Sequence, residues 1–211
     1  MHPETLPPGS RQTLDWLTHQ SAPALQGWML AGGTGLALQI GHRISEDFDF
    51  FRTDAMDVRA LHDVFKEYGA YETLQEAEHT LTVRLDRTKL SFFCVRDPFL
   101  FSGRPYRFFT IADITDIALM KIAAISGRGS RKDFVDLFLI LSDSLSLRQS
   151  LELTAKKYGA NRANRYHLLK SLTYFDDAER EPMPQMLRAV DWDACKRFFI
   201  QAARDVTLQL E

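Results

Sequence analysis

The sequence predicts an α+β protein: a mixed β-sheet core with flanking helices, followed by a helical C-terminal region. Three observations carry this. TLTVRLD (80–86) alternates apolar and polar residues, the period of a half-buried strand. Before residue 110, strand and helix signals are mixed; from Asp113 onward the apolar residues recur at helical spacing. With 45% apolar and 26% charged residues, the chain has enough apolar side chains for a real core and enough charge to stay in water.

Prolines 3, 7 and 8 mark a loose start. Ser10 is read as the N-cap of a first helix reaching about Gln20. WMLA (28–31) reads as a short strand ending in Gly32-Gly33-Thr34, after which GLALQI continues as a short helix. DFDFF (47–51) is the next strand, and Asp57 caps a helix running to Tyr68. Residues 70–84 supply two strands, and a turn at Asp86-Arg87-Thr88 leads into the strand KLSFFCV (89–95). RDPFLFSGRP is a loop and YRFFTI (106–111) a short strand. DITDIALMKIAAI (113–125) and DFVDLFLIL (133–141) are helices joined by the loop SGRGSRK, and everything after Ser146 reads as helices. The last runs from about Asp191 to Leu208 and buries Trp192, Phe198 and Phe199. These signals place a boundary near 110–115, with a core at 1–112 and a helical region at 113–211.

The formal net charge of −2 gives no global basic field, so any nucleic-acid surface must be local. Cys94 and Cys195 lie far apart in no metal-ligand spacing and read as free thiols in a reducing cytosol. MHPETLPPGS has no apolar signal-peptide core, and no apolar run approaches the ~20 residues that span a bilayer. The expectation is a cytoplasmic protein without a membrane partner.

HRISEDFDFF (42–51) places two acids inside an apolar run. In a strand, residues two apart share a face, so Asp47 and Asp49 project together while Phe48 and Phe50 point the other way. Paired carboxylates repel unless one takes a proton or a cation sits between them. Mg²⁺, which prefers hard oxygen ligands, suits such a pair, and a metal so held can align a nucleoside triphosphate for in-line attack. The alternative is a solvated DxD at a strand end.

Gly32-Gly33-Thr34 falls between a strand and a helix. Glycines there let the backbone approach a phosphate, the helix N-terminus offers N–H groups, and the Thr34 hydroxyl adds a donor. Arg43 is positioned by sequence to balance Asp47 or Asp49, or to touch a phosphate; Ser45 either bonds a phosphate or shapes the strand entry. His42 reads as structural. The glycine–threonine turn, the intervening residues 35–46 and then DxD resemble the pattern of the nucleotidyltransferase-β superfamily. GGTGLALQIGHRISEDFDFF together with ALMKIAAISGRGSRKDFVDLFLI resembles, more closely, the AbiEii/AbiGii toxin family of nucleotidyltransferase-like proteins. The likeness spans roughly residues 25–142, and the C-terminal third carries no matching pattern.

The resemblance implies a nucleotidyltransferase core, with the helical region packed on it and completing the active site. It also implies NTP and Mg²⁺ use and a toxin role beside a cognate antitoxin; some members modify tRNA acceptor ends. It places Lys121 in the active site against the triphosphate. By its own pattern Lys121 is a mid-helix cation that either snorkels or meets an anion. Asp133 and Asp136 share a helical face, where they cap the helix, pair with Arg128, Arg131 or Lys132, serve as a further active-site carboxylate, or hold Lys121 in place; Asp136 is the favoured inward residue and Asp133 the favoured cap. The glycines of SGRGSRK, with their cations, fit either a phosphate wrap or a solvated turn.

One position departs from the superfamily. Many members carry a third acid on a later strand, and the equivalent strand here, TKLSFFCV, offers Ser91. A serine neither binds metal nor accepts a proton well, which leaves the general base open among Asp86, Asp136 and the metal acting alone. Asp86 by itself reads as a turn residue. Further on, AKKYGANRANRYHLLK brings Lys156, Lys157, Arg162 and Arg165 together with Tyr158, Tyr166 and His167. This suits an RNA backbone with stacking aromatics, or else a solvated helical hairpin. The acidic FDDAEREPMPQ reads as a loop able to neutralise that patch or an antitoxin's basic face.

Overall fold

The computed structural model describes residues 1–208. They divide into two units, the first ending at Asp113 and the second beginning at Ile114.

The first unit is built on a seven-stranded mixed sheet of order β3-β4-β5-β2-β1-β7-β6. Its strands are β1 (Met29–Ala31), β2 (Phe48–Arg52), β3 (Tyr71–Ala77), β4 (Thr80–Leu85), β5 (Thr88–Cys94), β6 (Arg104–Tyr106) and β7 (Phe109–Ile111). Helices α1 (Pro8–Thr18), α2 (Gly32–Ile40) and α3 (Val58–Lys66) flank it. β2 runs antiparallel to β1 and parallel to β5, and β1 runs parallel to β7. The apolar residues of β2 dictate its orientation: Phe48 and Phe50 are fully buried, and the Phe50 ring stacks on Phe92 of β5 with centroids 5.1 Å apart. Leu14 and Leu17 of α1, with Leu61 and Phe65 of α3, complete this core. Asp49 and Phe51 therefore face the other side.

Several sequence expectations change here. Pro7 and Pro8 open α1, because proline is preorganised for the first helical position, and Ser10 is not its cap. The Ser10 hydroxyl donates to the Glu46 carbonyl at 2.8 Å and so steadies the approach to Asp47. Asp57 does cap α3, accepting from the Ala60 N–H, though α3 ends at Lys66. YRFFTI is two strands, β6 and β7, reversed at Arg107 with φ +55°.

The second unit is helical: α4 (Ile114–Arg128), α5 (Arg131–Asp143), α6 (Leu147–Tyr158), α7 (Arg165–Leu172), α8 (Asp176–Glu179) and α9 (Trp192–Leu208). SGRGSRK is not a loop: α4 continues through Arg128 and α5 begins at Arg131, so the break is Gly129-Ser130, with Gly129 at φ +56°. Phe134 centres the core, its ring 5.1 Å from Phe175 and 5.4 Å from Phe199. Phe199 is fully buried, whereas Trp192 and Phe198 are half-buried. Beside Phe134 lies the Cys195 thiol, which burial pushes up to about 12. FDDAEREPMPQ contains α8, and its acids are engaged at home. Glu179 pairs with Arg131 and Lys196, and Glu181 accepts the Arg131 backbone N–H at 2.8 Å.

Among the described residues no helix is long and apolar enough to cross a membrane.

Candidate active site

β1 passes into α2 without a loop, and the β1–β2 ladder sets Ala31 opposite Asp49. The glycine turn is thereby laid against the acid-bearing strand. Gly32 has φ +65°, and a Cβ there would sit 2.9 Å from Asp49 Oδ2, so backbone conformation and space both require glycine. A Cβ on Gly33 would collide with Arg43 Nη2 and lie 3.2 Å from Ser45 Oγ. Residues 35–46 are the rest of α2 after its first turn, with Gly41 ending the helix at φ +64°, plus the return to β2.

That return is tightly held. The Ser45 N–H donates to the Thr5 carbonyl at 2.9 Å. The buried Thr34 hydroxyl bonds the Asp47 carbonyl and lies 2.8 Å from Ser45 Oγ. Thr34 and Ser45 thus fix the chain that carries the acids. Arg43 is buried, its Nη1 donating to the Ile44 carbonyl at 3.0 Å, and its guanidinium crosses the glycine turn. Asp47 immediately precedes β2, and Asp49 lies within it, beside Ser91 in the parallel β2–β5 register. Ser91 therefore occupies the neighbouring-strand position at which a third acid would stand. Asp86 takes the φ +52° position of the β4–β5 turn, the turn role its sequence suggests.

Lys89 was not legible as a site residue. Its Nζ lies 2.7 Å from Asp47 Oδ2. The one available signal was its place two residues before Ser91 on the same strand face, and that becomes informative only once β5 is known to neighbour β2.

Within the helical unit, Lys121 is 5% exposed, and its Nζ lies 2.7 Å from Asp133 Oδ1 and 2.6 Å from Asp136 Oδ2. Arg128 Nε adds a contact to Asp133 Oδ2 at 3.1 Å. Burial alone would raise the Asp133 pKa, but the charge and hydrogen bond of Lys121, with Arg128, outweigh it and hold the carboxyl below its ordinary value. Asp133 is thus an ion-pair residue as well as a member of the first turn; Ser130 stands at the N-cap position. Asp136 is inward, as expected for a residue that holds Lys121 in place.

The basic stretch is not wholly exposed. Lys157 is a correction to the proposed RNA patch: it is buried, with Nζ 2.8 Å from Asp116 Oδ1. Lys156 and Arg162 are exposed, and half-buried Arg165 lines a groove of about 570 Å³ between α7 and α9 with Tyr166, Ile200 and Arg204.

A family model described as "Nucleotidyl transferase AbiEii toxin, Type IV TA system" matches residues 17–209. The chain belongs to the AbiEii toxin family. The Aquifex aeolicus (strain VF5) protein aq_aa25 is 35% identical over 181 residues, covering 83% of this chain and 86% of that protein. Two solved structures share the fold. MenT4, the nucleotidyltransferase toxin Rv2826c from Mycobacterium tuberculosis H37Rv, is 18% identical with a TM-score of 0.62, over 93% of this chain and 84% of that chain. JHP933 from Helicobacter pylori is 16% identical with a TM-score of 0.57, over 97% of this chain and 94% of that chain. As an AbiEii protein the chain is a nucleotidyltransferase toxin, which implies a nucleotide substrate and a cognate antitoxin.

For this AbiEii chain, Gly33→Ala is expected to lower nucleotide transfer roughly a hundredfold, because the Arg43 guanidinium must leave its place over the turn. Initial rates of label incorporation, read beside a thermal melt close to the parent's, check this; an unchanged rate would show that the placement of Arg43 is immaterial to transfer.

Proposed function

We propose that the protein uses a divalent metal, most simply Mg²⁺, to move a nucleotidyl group from an NTP to the hydroxyl of an RNA 3′ end, and acts as a cytoplasmic toxin by doing so. The observation that carries this is the juxtaposition of Asp49 with the Gly32-Gly33 turn at the start of α2. Among the described residues no group of three or more His, Cys, Asp or Glu side chains converges on a metal site. Two carboxylates nevertheless suit Mg²⁺, which commonly keeps several waters and takes its remaining oxygens from substrate phosphates. Asp47 and Asp49 are the residues that would hold it. Bound there, the ion would neutralise phosphate charge and lower the pKa of an acceptor oxygen.

The protein's own groups supply the rest. The Gly32-Gly33 backbone leaves room for the triphosphate at the N-terminus of α2, where N–H groups favour anions. Arg43 adds a fixed positive charge beside the turn, and Thr34 and Ser45 keep the strand entry in register. Within the helical unit, Asp133 and Asp136 fix the Lys121 ammonium. The acceptor oxygen forms a bond to the α-phosphorus while the bond to the β-phosphate oxygen breaks and pyrophosphate leaves. Ser91 supplies no base, so taking up the acceptor's proton would fall to the acid pair. RNA is favoured as acceptor by the exposed cations Lys156 and Arg162 and by Arg165 beside exposed Tyr166.

The test is transfer itself. Protein, Mg²⁺ and total cellular RNA are incubated with each α-labelled NTP in turn. A labelled RNA band that EDTA abolishes is expected. Label that stays with small molecules or protein would replace the acceptor, and pyrophosphate release that survives chelation would remove the metal.

A further inference from the structure

Asp47 already has a cation. Lys89 of β5 places Nζ 2.7 Å from Asp47 Oδ2, and the two side chains are 43% and 42% exposed. Lys89 shares a strand face with Ser91, and Ser91 is the parallel partner of Asp49. The ammonium is therefore held on the face that bears the acids. Arg43 stands at the glycine turn, so the two carboxylates are accompanied by two positive side chains.

These two cations differ in freedom. Arg43 is buried and tied to the Ile44 carbonyl. Lys89 is half-exposed and carries a compact charge on a flexible stem. Ion pairs with this much solvent access are weak and easily exchanged. A divalent ion arriving at Asp47 would displace Lys89, and a triphosphate arriving with it would offer the freed ammonium a stronger anionic partner.

We propose that Lys89 is a further substrate-binding residue of the transfer site. Its ammonium is the counter-ion of Asp47 in the free enzyme and passes to a phosphate oxygen of the NTP when a divalent cation takes Asp47. The inference rests on the metal-dependent reading above. It makes metal and nucleotide help each other: without nucleotide the metal must displace Lys89 for no return, and with nucleotide the displaced charge is re-used. Such coupling is reciprocal.

The test uses Lys89→Met, which keeps the stem and removes the charge, with Lys89→Gln as a second variant. Mn²⁺ binding is titrated by electron paramagnetic resonance in the absence of nucleotide, and KM for the NTP is measured at saturating Mg²⁺. Lys89→Met is expected to bind Mn²⁺ about threefold to fivefold more tightly than the parent. Its KM is expected to rise roughly tenfold. Lys89→Gln should follow in both directions. Equal Mn²⁺ affinity in parent and variants overturns the counter-ion role while leaving the metal reading standing. Unchanged KM overturns the phosphate contact. Failure of parent and variants alike to bind Mn²⁺, with or without nucleotide, overturns this inference together with the metal reading.

Discussion

Asp49→Asn is expected to fold as the parent does and to transfer nucleotide on the order of a thousandfold more slowly, through loss of metal-assisted charge stabilisation. Asp49 lies inside the β2 ladder with Oδ2 against the Gly32 backbone, so its carboxylate is fixed where the turn would receive a phosphate. Asparagine has the same shape and keeps one oxygen, so β2 pairing and the Phe48 and Phe50 core are left intact. The melting temperature should stay within a few degrees, and cells expressing the variant should grow. Label incorporation, a thermal melt and a growth curve check the three parts. A variant that kept full activity would sink the proposed mechanism.

The largest stability effect is expected away from the acid pair. Asp116 is fully buried in the first turn of α4, and Lys157 of α6 reaches it across 2.8 Å. Asp116→Ala would take a buried carboxylate partner from that ammonium, a loss of about 3–5 kcal/mol. For a unit of this size the melting temperature should fall on the order of 15 °C. The charge-free pair Asp116→Leu with Lys157→Met should recover most of it, because apolar replacements of similar volume restore packing without a stranded charge. Calorimetry on the two variants separates the cases. A parent-like melt for Asp116→Ala would show that the pair contributes nothing.

Local chemistry was legible in the sequence, and pairing across distance was not. The alternation in DFDFF correctly put Phe48 and Phe50 in the core and Asp49 on the other face, because a strand has a period of two wherever it lies. Asp57 was legible as a cap for the same kind of reason: its partner is three residues away. Ser10 misled because its hydroxyl has a long-range partner, the Glu46 carbonyl, which no local pattern contains. Lys157 misled in the opposite direction. Its neighbours along the chain are basic and aromatic, yet α6 turns it onto Asp116. SGRGSRK looked like a loop because it holds two glycines, but Gly127 stays helical and only Gly129 adopts a positive φ. In the acid site, the glycine turn and the DxD were visible from spacing, whereas Lys89 needed the β2–β5 register.

The place of β7 bears on how such a chain is made. β1, whose end carries the glycine turn, lies between β2 and β7 and pairs in parallel with residues as distant as Thr110. A parallel neighbour cannot be reached by a tight hairpin, so the sheet closes through contacts of long sequence separation, which form slowly. On the ribosome, β1 and β2 emerge early, but β1 keeps an open edge until residues 109–111 are out of the exit tunnel. A nascent or truncated chain that stops short of Ile111 thus carries the acid pair on an unfinished sheet, and the strand frame around those acids is completed only as the first unit ends.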